Sequence, residues 1–219
     1  MNINILIASY LSESSPCYFY ANSSSYEGEE KKGLQDLVET SQSGISALDR
    51  SINYGDGCFT TMYYENGSIF LLDEHLNRLE QDAQNLAIQF QVEAIKYWLI
   101  QACNSLLVGK IDTAAIKILV TRGVGGRGYE APKFVNPQII IGFHLTQKLS
   151  TKFPGNNSYS FCVQTAKLKL SSQLLLAGIK HLSRLEQVLA KQELLNENCD
   201  DLLLSDQSNN IVEATAANL

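Results

Sequence analysis

From Thr60 onward the spacing of apolar and polar positions predicts a succession of elements. Residues 60–64 and 68–72 are strand-like runs joined by Glu65-Asn66-Gly67. Asn-Gly between two such runs predicts a hairpin, because both residues tolerate positive φ. Leu76, Leu79, Ala83, Leu86 and Phe90 recur at spacings of three and four with charges between them, which predicts an amphipathic helix over 73–90. Val92, Ile95, Leu99, Ala102 and Leu106 predict a second helix over 92–107. Residues 114–120 and 138–143 are buried-type strands. The last third predicts a strand over 159–165, a buried apolar run over 174–179 and a helix over 181–196 with Leu182, Leu185, Val188 and Leu189 on its buried face. A strand at 201–204, a polar turn at 206–210 and a run over 211–219 close the chain.

These elements divide unevenly. Residues 1–48, rich in Ser, Glu, Lys and Gly between 12 and 44, read as a poorly defined leader with the first strand or strands. Residues 49–149 mix hairpins and helices, 150–158 with Pro154-Gly155-Asn156-Asn157 read as a linker, and 159–219 are mainly strands with one helix. The fold class is α+β.

Charge and composition narrow the function. A net charge of -6 argues against nucleic acid as a partner. No apolar run reaches membrane-spanning length, and the N-terminus lacks the basic region of a signal peptide. The five cysteines, Cys17, Cys58, Cys103, Cys162 and Cys199, are scattered and show no CxxC pair. No metal site is expected, and a reducing, cytoplasmic setting is. His75, His144 and His181 show no metal-ligand spacing.

Four features could carry chemistry, and each has a plainer reading. Gly123, Gly125 and Gly128 fit G-x-G-x-x-G after a strand, but Pro132 and Pro137 follow where a dinucleotide fold needs a helix. The turn is then either a flexible connection or a loop presenting Arg127 and Tyr129 to a carboxylate. Lys180 ends the apolar run and opens the predicted helix, and both settings disfavour its charged form, as amine chemistry requires. Most lysines beside apolar runs instead reach solvent. Arg78, beside the buried Leu79, either points inward or pairs with Glu74 one turn earlier. Glu213, in an otherwise apolar strand, either meets a cationic group or faces water from an edge. Asp49, Asp56 and Glu186 read equally well as structural carboxylates.

Together these pieces resemble a known family. Asp49-Arg50-Ser51-Ile52-Asn53-Tyr54-Gly55-Asp56-Gly57-Cys58-Phe59-Thr60-Thr61 is similar to the opening signature of the fold-type-IV enzymes that use pyridoxal 5'-phosphate (PLP). Leu72 to Leu79 resembles the helix whose arginine holds the cofactor phosphate, and Ala177 to Leu189 resembles the segment carrying the cofactor lysine. The resemblance covers 47–219 and implies a small N-terminal α/β domain, a larger β-barrel-like C-terminal domain that looks truncated here, and a homodimer. It places Lys180, Arg78, Glu213 and Asn218 at the cofactor, with Lys180 catalytic, and Arg127 and Tyr129 at the substrate. Gly125-Gly126-Arg127-Gly128-Tyr129, and Leu185 in place of the tyrosine usual five residues after the lysine in branched-chain aminotransferases, resemble the aminodeoxychorismate lyases. That implies aminodeoxychorismate as the substrate. Branched-chain or D-amino-acid aminotransferase chemistry is the alternative, and an inactive, shortened family member is a second.

Overall fold

The computed structural model describes residues 17–22, 38–39, 45–108, 110–134, 136–146, 162–194, 199–217 and 219. The chain forms two compact units, one comprising Met1–Lys152 with Ile179–Leu182, the other Phe153–Gly178 with Ser183–Leu219. The linker expected over 150–158 and Asn218 lie outside the described residues.

In the first unit the strands are β1 (Cys17–Asn22), β2 (Val38–Glu39), β3 (Gly57–Glu65), β4 (Ser68–Ile69), β5 (Thr113–Thr121) and β6 (Gln138–Leu145). They make an antiparallel sheet in the order β2-β1-β6-β5-β3-β4. A short helix α1 (Arg50–Tyr54) precedes β3, and α2 (Leu72–Asn85) and α3 (Val92–Val108) separate β4 from β5. Alternation selects one sheet face for burial. Cys58, Met62 and Tyr64, Ile116, Ile118 and Val120, and Ile139, Ile141 and Phe143 share a single cluster with Leu76 and Leu79 of α2 and Ile95, Trp98 and Leu99 of α3. The helix-face positions expected on α2 and α3 are in this core. The hairpin forms as expected, Asn66 and Gly67 having φ of 48° and 91°. However, α2 stops at Asn85 rather than running to Phe90, because Ala87 turns to a φ of 54°, which no helix continues. Leu86 and Phe90 still pack on the core from beyond its end.

β4 pairs only with Tyr64 and Glu65, so the N-terminal half of β3 has an open edge. Residues 180–182 occupy that edge. Phe59 N donates to Lys180 O (2.9 Å), Leu182 N donates to Gly57 O (2.9 Å), and Cys58 and His181 form the bridge pair between them. This corrects two expectations. The helix predicted over 181–196 is α4, Leu185–Glu193, since main chain committed to a strand edge cannot also be helical. Lys180 is therefore not at a helix N-terminus. Nor does it end a buried strand: 174–178 are turns, with Leu174 and Leu175 84–87% exposed, and no strand among the described residues pairs with that run.

The second unit holds β7 (Val163–Lys169), α4, β8 (Asp201–Ser205) and β9 (Ile211–Ala214). β8 lies between β7, which is parallel to it, and β9, which is antiparallel. The strand expected over 159–165 thus lies further along, and its first residues are outside the description. Ala166, Leu170, Ala190, Leu202 and Leu204 form its core. Ala190, not the expected Leu185, Val188 and Leu189, is the buried residue of α4, and those three are exposed. The helix is oriented by Glu193, whose carboxylate accepts from Lys167 N (2.7 Å) and Leu168 N (3.0 Å). No helix among the described residues is long and apolar enough to cross a membrane.

A Cβ at Gly57 would lie 2.4 Å from Val120 O and 2.7 Å from the Leu182 side chain. Gly57→Ala is expected to cost about 2 kcal/mol through overpacking. It should also speed amide exchange at Phe59 and Leu182 more than in α3. Equal exchange at those two amides in both proteins would show that 180–182 is not held by this edge.

Candidate active site

The residues expected to act were singled out separately in the sequence, and the first unit brings two of them to one place. Lys180 is half-buried on the β3 edge, and its Nζ lies 5.2 Å from the centroid of the Phe59 ring. Its main-chain N–H donates to Asp82 Oδ2 (3.1 Å), on a buried position of α2. Burial pushes the Asp82 carboxyl up, against the pull of the Lys180 N–H and of the positive charges of Arg78, Lys180 and His181. The buried Cys58 thiol is raised to about 12 by burial and then by Asp82.

Arg78 does not follow the expected alternative of pairing with Glu74. Its Nη2 donates to Thr60 Oγ1 on β3 (2.9 Å), and the same hydroxyl lies 2.8 Å from His75 Nδ1. Arg78 has only N–H groups to offer, and its Nη2 also lies 3.3 Å from His75 Nδ1, so Nδ1 is an acceptor and the Thr60 hydroxyl accepts from Arg78 and donates a hydrogen bond to His75. His75 is then the neutral tautomer with its proton on Nε2. Burial, followed by the positive charges of Arg78 and Lys180, lowers its pKa, with Glu74 opposing. Arg78 thus lies directly on the histidine, 3.3 Å from Nδ1. Thr60, His75 and Asp82 were missed as site residues. The only signal for His75 and Asp82 was their helical spacing from Arg78, and nothing in the pattern of β3 singled out Thr60.

The glycine-rich turn, 123–130, leads without a helix into the antiparallel β6, so the dinucleotide geometry is absent among the described residues. Arg127 and Tyr129 are exposed on it. Asp49, Asp56 and Glu186 are structural. Asp49 caps α1 and accepts from Thr121, and Glu186 accepts from Ser171. Asp56 Oδ2 bridges Arg50 Nε (2.8 Å) and Arg122 Nε (2.7 Å). Burial alone would raise the Asp56 carboxyl, but its bonds to Arg122 and Arg50 and their charges outweigh this and lower it.

Glu213 belongs to the second unit and meets a cationic group, the first of the two expected settings, but that group is the protein's own Arg184. Its carboxylate is held by Arg184 Nη2 (3.2 and 3.3 Å) and Gln187 Nε2 (2.6 Å), so it is partnered by the protein itself. In the same unit the buried Asp201 accepts from Thr215 Oγ1, Ala216 N (3.2 Å) and Ala217 N (3.0 Å), which shapes the turn that follows Glu213.

Residues 57–219 match the family model of amino-transferase class IV. An aminodeoxychorismate lyase of Vibrio harveyi is 32% identical over 183 residues, 81% of this chain and 63% of that protein. A putative branched-chain-amino-acid aminotransferase of Methanocaldococcus jannaschii is 28% identical over 84% of this chain and 62% of its own length. The solved 4-amino-4-deoxychorismate lyase from Pseudomonas aeruginosa is 32% identical and superposes with a TM-score of 0.66, covering 80% of this chain and 62% of that one. The chain therefore spans about three fifths of the length of the curated relatives it matches. The fold is the fold-type-IV, aminotransferase-like one, with mixed α and β content.

Two measurements test this geometry. His75 should titrate below 6.5 in an NMR titration, and both Thr60→Val and Arg78→Met should raise it, the first by removing a bond to the neutral ring and the second by removing a charge. A wild-type value at or above 6.5 would reject the burial and the positive charge placed around the ring. Asp56, whose folded pKa lies below 3.8, contributes stability that is present above that value and lost as pH falls through the folded pKa. Asp56→Asn should remove this acid dependence in pH-dependent melts, and at neutral pH it should cost about 3 kcal/mol by leaving two buried guanidinium groups uncompensated.

Proposed function

The chain belongs to the amino-transferase class IV family, whose fold-type-IV members depend on PLP, and from that premise we propose that it acts as an aminodeoxychorismate lyase. The observation that carries the reading is that β3 holds Lys180 against Phe59 and Arg78 on the neighbouring Thr60. This donor set suits PLP. A guanidinium fork matches a phosphate, an amine on a strand edge can join an aldehyde, and the Phe59 ring gives an apolar wall beside that amine. The 32% identity to two lyases over about four fifths of this chain supports the lyase reaction.

Lys180 would hold the cofactor through Nζ, and Arg78 would hold its phosphate, with Thr60 keeping the guanidinium aimed. When bound, PLP supplies an electron sink for a carbanion next to the substrate nitrogen. The substrate is 4-amino-4-deoxychorismate. Lys180 Nζ, once displaced by the substrate's own amine, would take the proton from its C4, and the enolpyruvyl group would leave C3 as enolpyruvate, which takes up a proton at carbon to become pyruvate. The remaining ring becomes aromatic, giving 4-aminobenzoate. Arg127 and Tyr129 orient a substrate carboxylate from the glycine-rich turn. Glu213 is proposed for the cofactor's ring nitrogen and Asn218 as a further cofactor contact. A homodimer and a cytoplasmic setting complete the proposal.

Lys180→Ala should lose both the visible absorbance gained on adding PLP and the borohydride-stable adduct on the peptide containing residue 180. Wild type should release pyruvate from aminodeoxychorismate with no 2-oxo acid present. An unchanged spectrum in the variant would remove Lys180 from the mechanism. Turnover that requires a 2-oxo acid acceptor would assign an aminotransferase instead.

A further inference from the structure

One buried guanidinium holds the glycine-rich turn from inside. Arg50, the first residue of α1, is 3% exposed. Its Nη1 donates to the carbonyls of Gly125 (3.4 Å), Gly128 (3.1 Å) and Glu130 (3.2 Å), and its Nη2 to that of Tyr129 (3.1 Å). Its main-chain N–H donates to Gly123 O (3.0 Å), and Asp49 bridges Val124. Asp56 fixes the guanidinium from the other side through Nε. The Arg50 guanidinium also lies 4.8 Å from the centroid of the Tyr54 ring, and that ring meets Tyr129 edge-on at 5.5 Å.

The turn needs such a hold. Residues 123–128 include four glycines, which leave the free loop many conformations. Its carbonyls converge inward on Arg50, while Tyr129, 89% exposed, and Arg127 project outward. We infer that Arg50 is a positioning residue for substrate recognition, setting the shape of the loop that offers Arg127 and Tyr129 to the substrate carboxylate. The substrate half of this inference rests on the lyase reading above. Arg50 touches neither substrate nor cofactor and acts through the loop. Only a planar fork reaches four carbonyls and a carboxylate together, and a lysine with one ammonium keeps the charge but not that geometry.

Arg50→Lys and Gly126→Ala test it in the full chain. Gly126 has a φ of 74°, and a Cβ there would sit 2.8 Å from Glu130 O and 3.4 Å from Arg50 Nη1, so it pushes the loop off an intact guanidinium. In both variants the amides of residues 50 and 123, which donate to Gly123 O and Thr121 Oγ1, should exchange roughly tenfold faster than in wild type. KM for aminodeoxychorismate should rise about tenfold with kcat within about threefold, because a misplaced carboxylate partner weakens binding before it alters the chemistry. The PLP adduct on Lys180 should form as in wild type. Wild-type exchange in both variants would overturn the inference, and so would a loosened loop with unchanged KM. If Arg50→Lys shows no cooperative melt, Gly126→Ala decides alone. If wild type itself takes no PLP on Lys180, the lyase reading falls, and the exchange result still decides whether Arg50 holds the loop.

Discussion

Two main-chain hydrogen bonds, from Phe59 N to Lys180 O and from Leu182 N to Gly57 O, attach a segment far along the chain to the open edge of β3. That attachment places Lys180 beside Phe59 and Asp82. It exists because β4 is two residues long and leaves the edge unpaired, and because Gly57 has no side chain to keep Leu182 away. An unpaired strand edge is a row of unsatisfied donors and acceptors. Here three residues carrying the lysine use it.

Charge is arranged around that edge with little redundancy. Thr60 is the shared partner of Arg78 and His75, so one hydroxyl sets both the aim of a guanidinium and the tautomer of an imidazole. Asp56 plays the same part for Arg50 and Arg122, two buried cations that would otherwise lie side by side unneutralised. Arg122 in turn donates to the carbonyls of Leu86 and Ala87, where the α2 backbone ends. The turn after β5 and the end of α2 are thereby tied to the same carboxylate.

Local pattern made much of the first unit legible. The 3.6-residue repeat located the buried faces of α2 and α3, the alternation in β5 and β6 located the sheet, and Asn66-Gly67 located the hairpin. The same reasoning failed between 174 and 196. Leu174 and Leu175 look like core in sequence and stand exposed, and the apparent apolar stripe of α4 is exposed while Ala190 is buried. Periodicity reports which residues could share a face, not whether another element is there to cover it.

The sequence by itself determined the hairpin, the buried faces of α2 and α3, the strands β5 and β6 and the family resemblance, because these depend on residue type and on neighbours a few positions away. Only the tertiary structure decided that 180–182 is strand edge rather than helix, that Arg78 bonds to Thr60 rather than Glu74, that Glu213 is met by Arg184, and that Arg50 gathers the carbonyls of a loop seventy-five to eighty residues further along. Each of these is a hydrogen bond between groups distant in the chain. Its partner is chosen by where backbone donors and acceptors are left unsatisfied once the sheet has formed, and no local spacing encodes that.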